Sequence, residues 1–122
     1  MNVAATDMIE RESVTLTRPR RHVALIRLSA RPLGVLRISV KCALIEALEE
    51  AEGDPAVRAL VLTGEGRAFS VGSDVREFRH DASWLRRAEA VENELNDRIE
   101  GSRLPVIAAL NGHTLGGGLV LS

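Results

Sequence analysis

The chain has 122 residues, of which 45% are apolar and 27% charged. That is room for one domain with a buried core, and it excludes a disordered segment. Sixteen basic residues against seventeen acidic ones leave a net charge of −1, which excludes a simple electrostatic footprint for nucleic acid or a membrane surface. Aromatic side chains are limited to Phe69, Phe78 and Trp84, too few for a base-stacking platform. The single Cys42 excludes an internal disulfide and a cysteine-based zinc cluster. No apolar run approaches the ~20 residues of a membrane span or the ~7–15 of a secretory signal, and the expected compartment is the cytoplasm.

In chain order, residues 1–12 read as a loose N-terminal arm, with Asp7, Glu10, Arg11 and Glu12 following a short Val3-Ala4-Ala5. From Ser13 to Arg18 apolar and polar residues alternate, Val14 and Leu16 on one face, which predicts a half-buried strand. Pro19-Arg20-Arg21 reads as a turn, and Val23 to Leu28 as a second strand buried on both faces, closing a hairpin. After the loop Arg31-Pro32-Leu33-Gly34, Ser39 is the expected N-cap of a helix whose inner face is Val40, Ala43, Leu44, Ala47, Leu48 and Ala51. Gly53 and Asp54-Pro55 end it.

Ala59 to Thr63 predicts a short buried strand, followed by a loop at Gly64-Glu65-Gly66-Arg67. Ser83 is the expected cap of a second helix carrying Trp84, Ala88, Val91, Leu95 and Ile99 on one face. Gly101 ends it and Pro105 precedes a strand from Val106 to Leu110; Asn111-Gly112 turns the chain, and Gly116-Gly117-Gly118 opens a last helix. Strands alternating with helices predict an α/β layer architecture.

Local propensity breaks at two places, Ala68 to Asp74 and Gly116 to Gly118, each beyond the C-terminal end of a predicted strand. Open α/β sheets bind ligands there, and departures from local rules often mark function. Three glycines at a helix start cost roughly 1 kcal/mol each relative to alanine. Either a ligand must approach the backbone N–H groups of that turn, or neighbouring backbone must pack tightly against it, and spacing alone does not choose. Neither the Walker pattern nor Gly-x-Gly-x-x-Gly is present, which argues against a nucleotide-phosphate loop. Ser70, Ser73 and Ser122 lie in no Gly-x-Ser-x-Gly elbow. His22 and His80 read as surface residues and His113 as a polar turn residue. Asp74 with Glu77 reads as the charged first turn of a helix, and Cys42 as a small apolar packing residue.

Three stretches in this order resemble the crotonase superfamily, the enoyl-CoA hydratase/isomerase family. The strand Val23 to Leu28 leads through Arg31-Pro32 to the helix Val40 to Leu48. Asp54 to Gly64 runs into Gly66-Arg67-Ala68-Phe69-Ser70-Val71-Gly72-Ser73-Asp74. Leu104-Pro105-Val106-Ile107-Ala108-Ala109-Leu110-Asn111-Gly112 leads into Leu115-Gly116-Gly117-Gly118. The resemblance covers residues 22–122 and implies an α/β, crotonase-like ββα spiral, with residues 13–122 as the N-terminal part of a longer domain, apparently truncated.

It also implies an acyl-CoA substrate, coenzyme A being part of the thioester, with no separate cofactor and no metal. An oxyanion hole would form from the backbone N–H groups of Ser73 and Gly117. Backbone around Ala68, Ser70, Asp74 and Gly116 would hold the rest of the substrate. Homo-oligomers, trimers or hexamers, are expected by the same resemblance. At the position where hydratases of the family carry a glutamate this chain has Val120, which moves no proton; their second acid lies at a position beyond Ser122, and the weight shifts from hydration towards double-bond isomerisation or another family reaction in which a single acid suffices. Two other readings stand beside this one: a non-catalytic fragment that binds CoA or a partner, and a nucleotide-binding α/β domain. Leu119, Val120 and Leu121 are expected to lack burial partners, leaving the chain marginally stable and prone to association.

Overall fold

The computed structural model describes residues 9–122. In chain order the elements are β1 (Ile9–Arg11), β2 (Val14–Arg20), β3 (Val23–Leu28), β4 (Val35–Leu36), α1 (Ile38–Glu52), β5 (Ala59–Gly64), β6 (Ala68–Ser70) and β7 (Gly72–Ser73). A 3-10 turn (Val75–Glu77), α2 (Ala82–Glu100), β8 (Val106–Ala109), β9 (His113–Thr114) and α3 (Gly117–Leu121) follow. One five-stranded sheet has the order β1-β2-β3-β5-β8, while β4 pairs with β7 and β6 with β9. The hairpin is antiparallel, with Leu16 opposite Ile26 and Val14 opposite Leu28. β3–β5 and β5–β8 are parallel, each pair joined through a helix. β1 lies against β2, so residues 9–11 of the expected loose arm form a strand. Residues 1–8 lie outside the described residues.

The core lies between one face of this sheet and α1, with α2 packed mainly on α1. Ala24, Ile26, Leu28, Leu60 and Leu62 meet Val40, Leu44, Leu48 and Ala51 of α1, all almost fully buried. Burying each large aliphatic side chain is worth roughly 1.5–3 kcal/mol. Helix α1 therefore buries the face its periodicity predicts, and Ile45 and Lys41 in addition. The opposite sheet face is open: Leu25 and Val61 are half-buried and Ile107 is 53% exposed. β3 is thus buried on one face rather than both, because among the described residues the helices cover only one side.

Tertiary contacts also decide the helix starts. Ser39 lies inside the first turn of α1; the cap residue is Arg37, without a side-chain bond, and the Ile38 N–H donates instead to Glu77 Oε1 at 2.9 Å. α2 starts one residue before Ser83, at Ala82. Its cap is Asp81, whose Oδ1 accepts from Trp84 N–H at 2.7 Å and from Ser83 Oγ at 2.9 Å. A carboxylate at this position is the stronger acceptor. Of the predicted inner face of α2 only Leu95 is fully buried, because the first half of that helix walls a cleft.

Pro19 and Arg20 belong to β2, where the register is irregular and a missing N–H is tolerated. The turn falls at Arg21 and His22. His22 is more than a surface residue: it is partly buried, with Nδ1 2.6 Å from the Ala56 carbonyl.

Candidate active site

Both segments that break local propensity fold beside each other. β6 continues from β5 through a loop held by Asn111. Its Oδ1 accepts from Gly64 N–H at 2.9 Å, and its Nδ2 donates to the Gly66 and Ala68 carbonyls at 3.0 Å each. The Asn111-Gly112 pair, readable only as a turn from sequence, is therefore a clamp between the end of β8 and the entrance to the site. Ser70 then locks the next step: its Oγ donates to the Gly34 carbonyl at 2.6 Å and accepts from Gly72 N–H at 3.1 Å. The Ser70 carbonyl accepts from Leu115 N–H at 2.9 Å, which ties β6 to the glycine turn. Gly72, at φ +95, passes so close to that turn that a Cβ on it would stand 2.8 Å from the Gly117 nitrogen. β7 and the start of α3 are consequently in backbone contact, bringing Ser73 and Gly117 to neighbouring positions.

The glycine triplet divides into three cases. Gly116 sits at φ 52 and ψ −126, a conformation that residues with a Cβ avoid. Gly118 is packed: a Cβ there would collide with the Ser70 carbonyl oxygen. Gly117 has neither constraint. A Cβ on it would make only ordinary contacts, 3.5 Å to Leu36 Cδ1 and 3.9 Å to Glu92 Oε1. As first residue of α3, its N–H has no carbonyl partner within the helix. Tight backbone packing thus accounts for Gly118 and backbone conformation for Gly116, while neither accounts for Gly117.

Next to Ser73 opens a cleft of about 490 Å³ between α1, β7, the 3-10 turn and α2. Leu36, Ile38, Phe78, Trp84, Leu85 and Ala88 give it apolar walls, with the Phe78 and Trp84 rings tilted at a centroid distance of 5.6 Å. Lys41, the one lysine of the chain, lies in it, 5% exposed. Its Nζ donates to Ser73 Oγ at 3.2 Å and stands 3.6 Å from Glu92 Oε1. A second cleft of about 450 Å³, beside Val14, Leu16, Ala43 and Ala47, contains none of the sequence-derived site residues.

The remaining sequence-derived residues frame the site. Ala68 and Ser70 are buried in β6, with their carbonyls engaged by Asn111 and Leu115. Asp74, 7% exposed, starts the 3-10 turn and accepts from Arg76 N–H, as the charge pattern predicts. The Arg76 guanidinium, hydrogen-bonded to both Asp74 oxygens, holds this carboxyl below the usual carboxylate range. The Arg76 N–H and Arg37, 3.7 Å from Oδ2, act in the same direction, and burial opposes them. His80 lines the cleft and His113 lies exposed in β9.

Two residues of the site, Lys41 and Glu92, were not legible from the pattern. Lys41 falls beside the inner face of α1 by periodicity, and Glu92 reads as one of many charges on α2. The only signal was that a single lysine stands among fifteen arginines.

A profile of the enoyl-CoA hydratase/isomerase family matches residues 18–122. Among curated relatives, a peroxisomal bifunctional enzyme of Danio rerio is 42% identical over 103 residues, 84% of this chain and 14% of that protein. A probable enoyl-CoA hydratase of Bacillus subtilis is 38% identical over 105 residues, 82% of this chain and 40% of that one. In solved structures, an enoyl-CoA hydratase of Bacillus anthracis superposes with a TM-score of 0.84 at 30% identity, over 90% of this chain and 44% of that one. An enoyl-CoA hydratase/carnithine racemase of Magnetospirillum magneticum superposes with a TM-score of 0.88 at 28% identity, over 99% of this chain and 46% of that one. The fold is therefore the crotonase-like α/β arrangement, and the chain spans less than half the length of these relatives.

Proposed function

The chain belongs to the enoyl-CoA hydratase/isomerase family, and from that membership we propose that it binds an acyl-CoA thioester with the carbonyl oxygen between the Ser73 and Gly117 backbone N–H groups. The acyl part then enters the cleft beside Ser73. Donors fixed in place before reaction stabilise the charge that develops on the thioester oxygen as an enolate forms, each typically by a few kcal/mol. The observation that carries the reading is Gly117, which neither its conformation nor its packing requires to be glycine, beside a strand that ends in Ser73.

The chemistry proposed at this site is double-bond isomerisation rather than hydration. Val120, 66% exposed, stands where hydratases of the family have a glutamate and transfers no proton. That same residue favours a second reading, a protein that binds CoA or a partner without turnover.

Isothermal titration on the full chain tests the binding. Acetoacetyl-CoA, an enolate-like thioester, is expected to bind, with unacylated CoA weaker and NAD or ATP weaker still. Binding of NAD or ATP in preference to the thioester overturns the acyl-CoA reading. Thioester binding without conversion of a β,γ-enoyl-CoA supports the non-catalytic reading instead.

A further inference from the structure

Among the described residues, Glu77, Glu89 and Glu92 line the cleft and Asp74 starts the 3-10 turn beside it; of these, Glu92 is the one paired with Lys41. Asp74 is held by Arg76 and Arg37. Glu77 has Oε1 engaged by the Ile38 N–H at the start of α1. Glu92 projects from α2 towards the proposed reaction centre. Its Oε1 is 3.6 Å from Lys41 Nζ, which in turn donates to Ser73 Oγ at 3.2 Å, and the same oxygen is 3.9 Å from the point a Gly117 Cβ would occupy. One carboxylate oxygen thus lies close to Gly117 directly and is linked to Ser73 through Lys41. At 46% side-chain exposure it is open to a ligand, whereas its cation is buried behind it at 6%.

We infer that Glu92 is the group that moves the proton in this site, with Lys41 as its positioning residue. The inference rests on the acyl-CoA reading above and adds the acid–base residue that Val120 does not supply. A carboxylate beside a buried ammonium is held in one orientation, as a base next to an oxyanion hole must be.

The step balances without a co-reactant. The Glu92 carboxylate takes a proton from the α-carbon of a β,γ-enoyl thioester. The C–H electron pair moves into the bond between the α-carbon and the thioester carbon, and the negative charge moves to the thioester oxygen between the two N–H donors. Glu92, now a carboxylic acid, returns the proton to the γ-carbon as the electrons flow back. The product is the α,β-enoyl isomer, and Glu92 is again a carboxylate. One carboxylate serves both transfers, so the reaction class assigned is allylic isomerisation of an enoyl thioester.

The test uses the full chain in heavy water with a medium-chain β,γ-enoyl-CoA. Deuterium incorporation and isomer formation are followed by mass spectrometry and proton NMR, and thioester affinity is measured on each variant by calorimetry. E92Q, nearly isosteric on a half-exposed helix position, is expected to lower exchange at least about a hundredfold, the usual worth of a general acid–base residue, with affinity within a few-fold of the parent. K41M is expected to lower exchange less than E92Q does, and K41R to restore most of it, which a merely structural lysine would not require. E94Q, which removes a charge from α2 next to Arg98 rather than in the cleft, is expected to exchange like the parent.

Exchange by E92Q equal to the parent overturns the inference and leaves the Lys41–Glu92 pair as a tie between helices. Thioester binding by the parent without any exchange also overturns it. Absence of thioester binding overturns the acyl-CoA reading itself.

Discussion

At the scale of single residues, the glycine triplet shows why composition and spacing do not identify a site. Gly116 answers to backbone conformation, Gly118 to a neighbouring carbonyl, and Gly117 to neither. The two alanine substitutions should therefore separate. G118A must displace the Ser70 backbone, and overpacking of this kind costs about 1–3 kcal/mol or more, a large share of a small domain's stability. Urea unfolding is expected to show that loss. G117A gains up to about 1 kcal/mol of helix propensity and should unfold at or slightly above the parent midpoint. Its methyl group, however, stands between Leu36 and Glu92 in the proposed ligand space, and calorimetry is expected to show acetoacetyl-CoA binding weakened about tenfold, or ~1.4 kcal/mol. Comparable stability loss in both variants would mean that Gly117 is a packing glycine like its neighbour.

At the scale of elements, periodicity located both long helices and the strands they connect, because 3.6-residue and two-residue repeats are properties of the backbone. The helix starts were less legible, since their orphan N–H groups take whatever acceptor the fold brings. Asp81 supplies a local one for α2, while α1 receives Glu77 from 39 residues away.

Three aspartates hold such termini and turns. Backbone Ala56 N–H and then Arg18 lower Asp54; the Arg76 guanidinium chiefly lowers Asp74; the Trp84 N–H and then the Ser83 hydroxyl lower Asp81. Their folded values lie below the ordinary 3.8. The stabilisation they give is thus complete above that value and is lost as acid protonates them in the folded state. Denaturation midpoints should stay level from neutral to mildly acidic pH and fall once pH drops below the ordinary carboxylate value. D81A should lower the midpoint at neutral pH and shrink the acid-dependent fall. An unchanged fall in D81A would mean that this cap does not contribute to it.

At the scale of the whole molecule, the apolar groups left outside the core are distributed unevenly. Leu121 is buried at 6% and joins the core, contrary to the expectation that the last helix would have no partners. Leu119 and Val120 match that expectation at 62% and 66% exposed, and Leu110 and Leu115 lie nearby in sequence at 53% and 57%. Exposed apolar side chains of this sort favour association where they come together. Analytical ultracentrifugation is expected to find concentration-dependent self-association, reduced in the double variant L119K/V120K with the fold unchanged by circular dichroism. A monomer at all concentrations would rule this surface out as adhesive.

Sequence alone determined the alternation of strands and helices, the inner face of α1, and the two segments where ordinary propensity fails. These follow from short-range periodicity and from the special conformational rules of glycine, both written locally in the chain. Only the tertiary structure decided which glycine of the triplet is constrained by neither packing nor conformation, which acceptor caps α1, and that Lys41 and Glu92 meet beside Ser73 from two different helices. Those facts depend on distances between residues 32 to 51 positions apart, and no local pattern encodes them. Hence the fold was readable from the sequence, while the polar pair beside the cleft became visible only once α1 and α2 packed together.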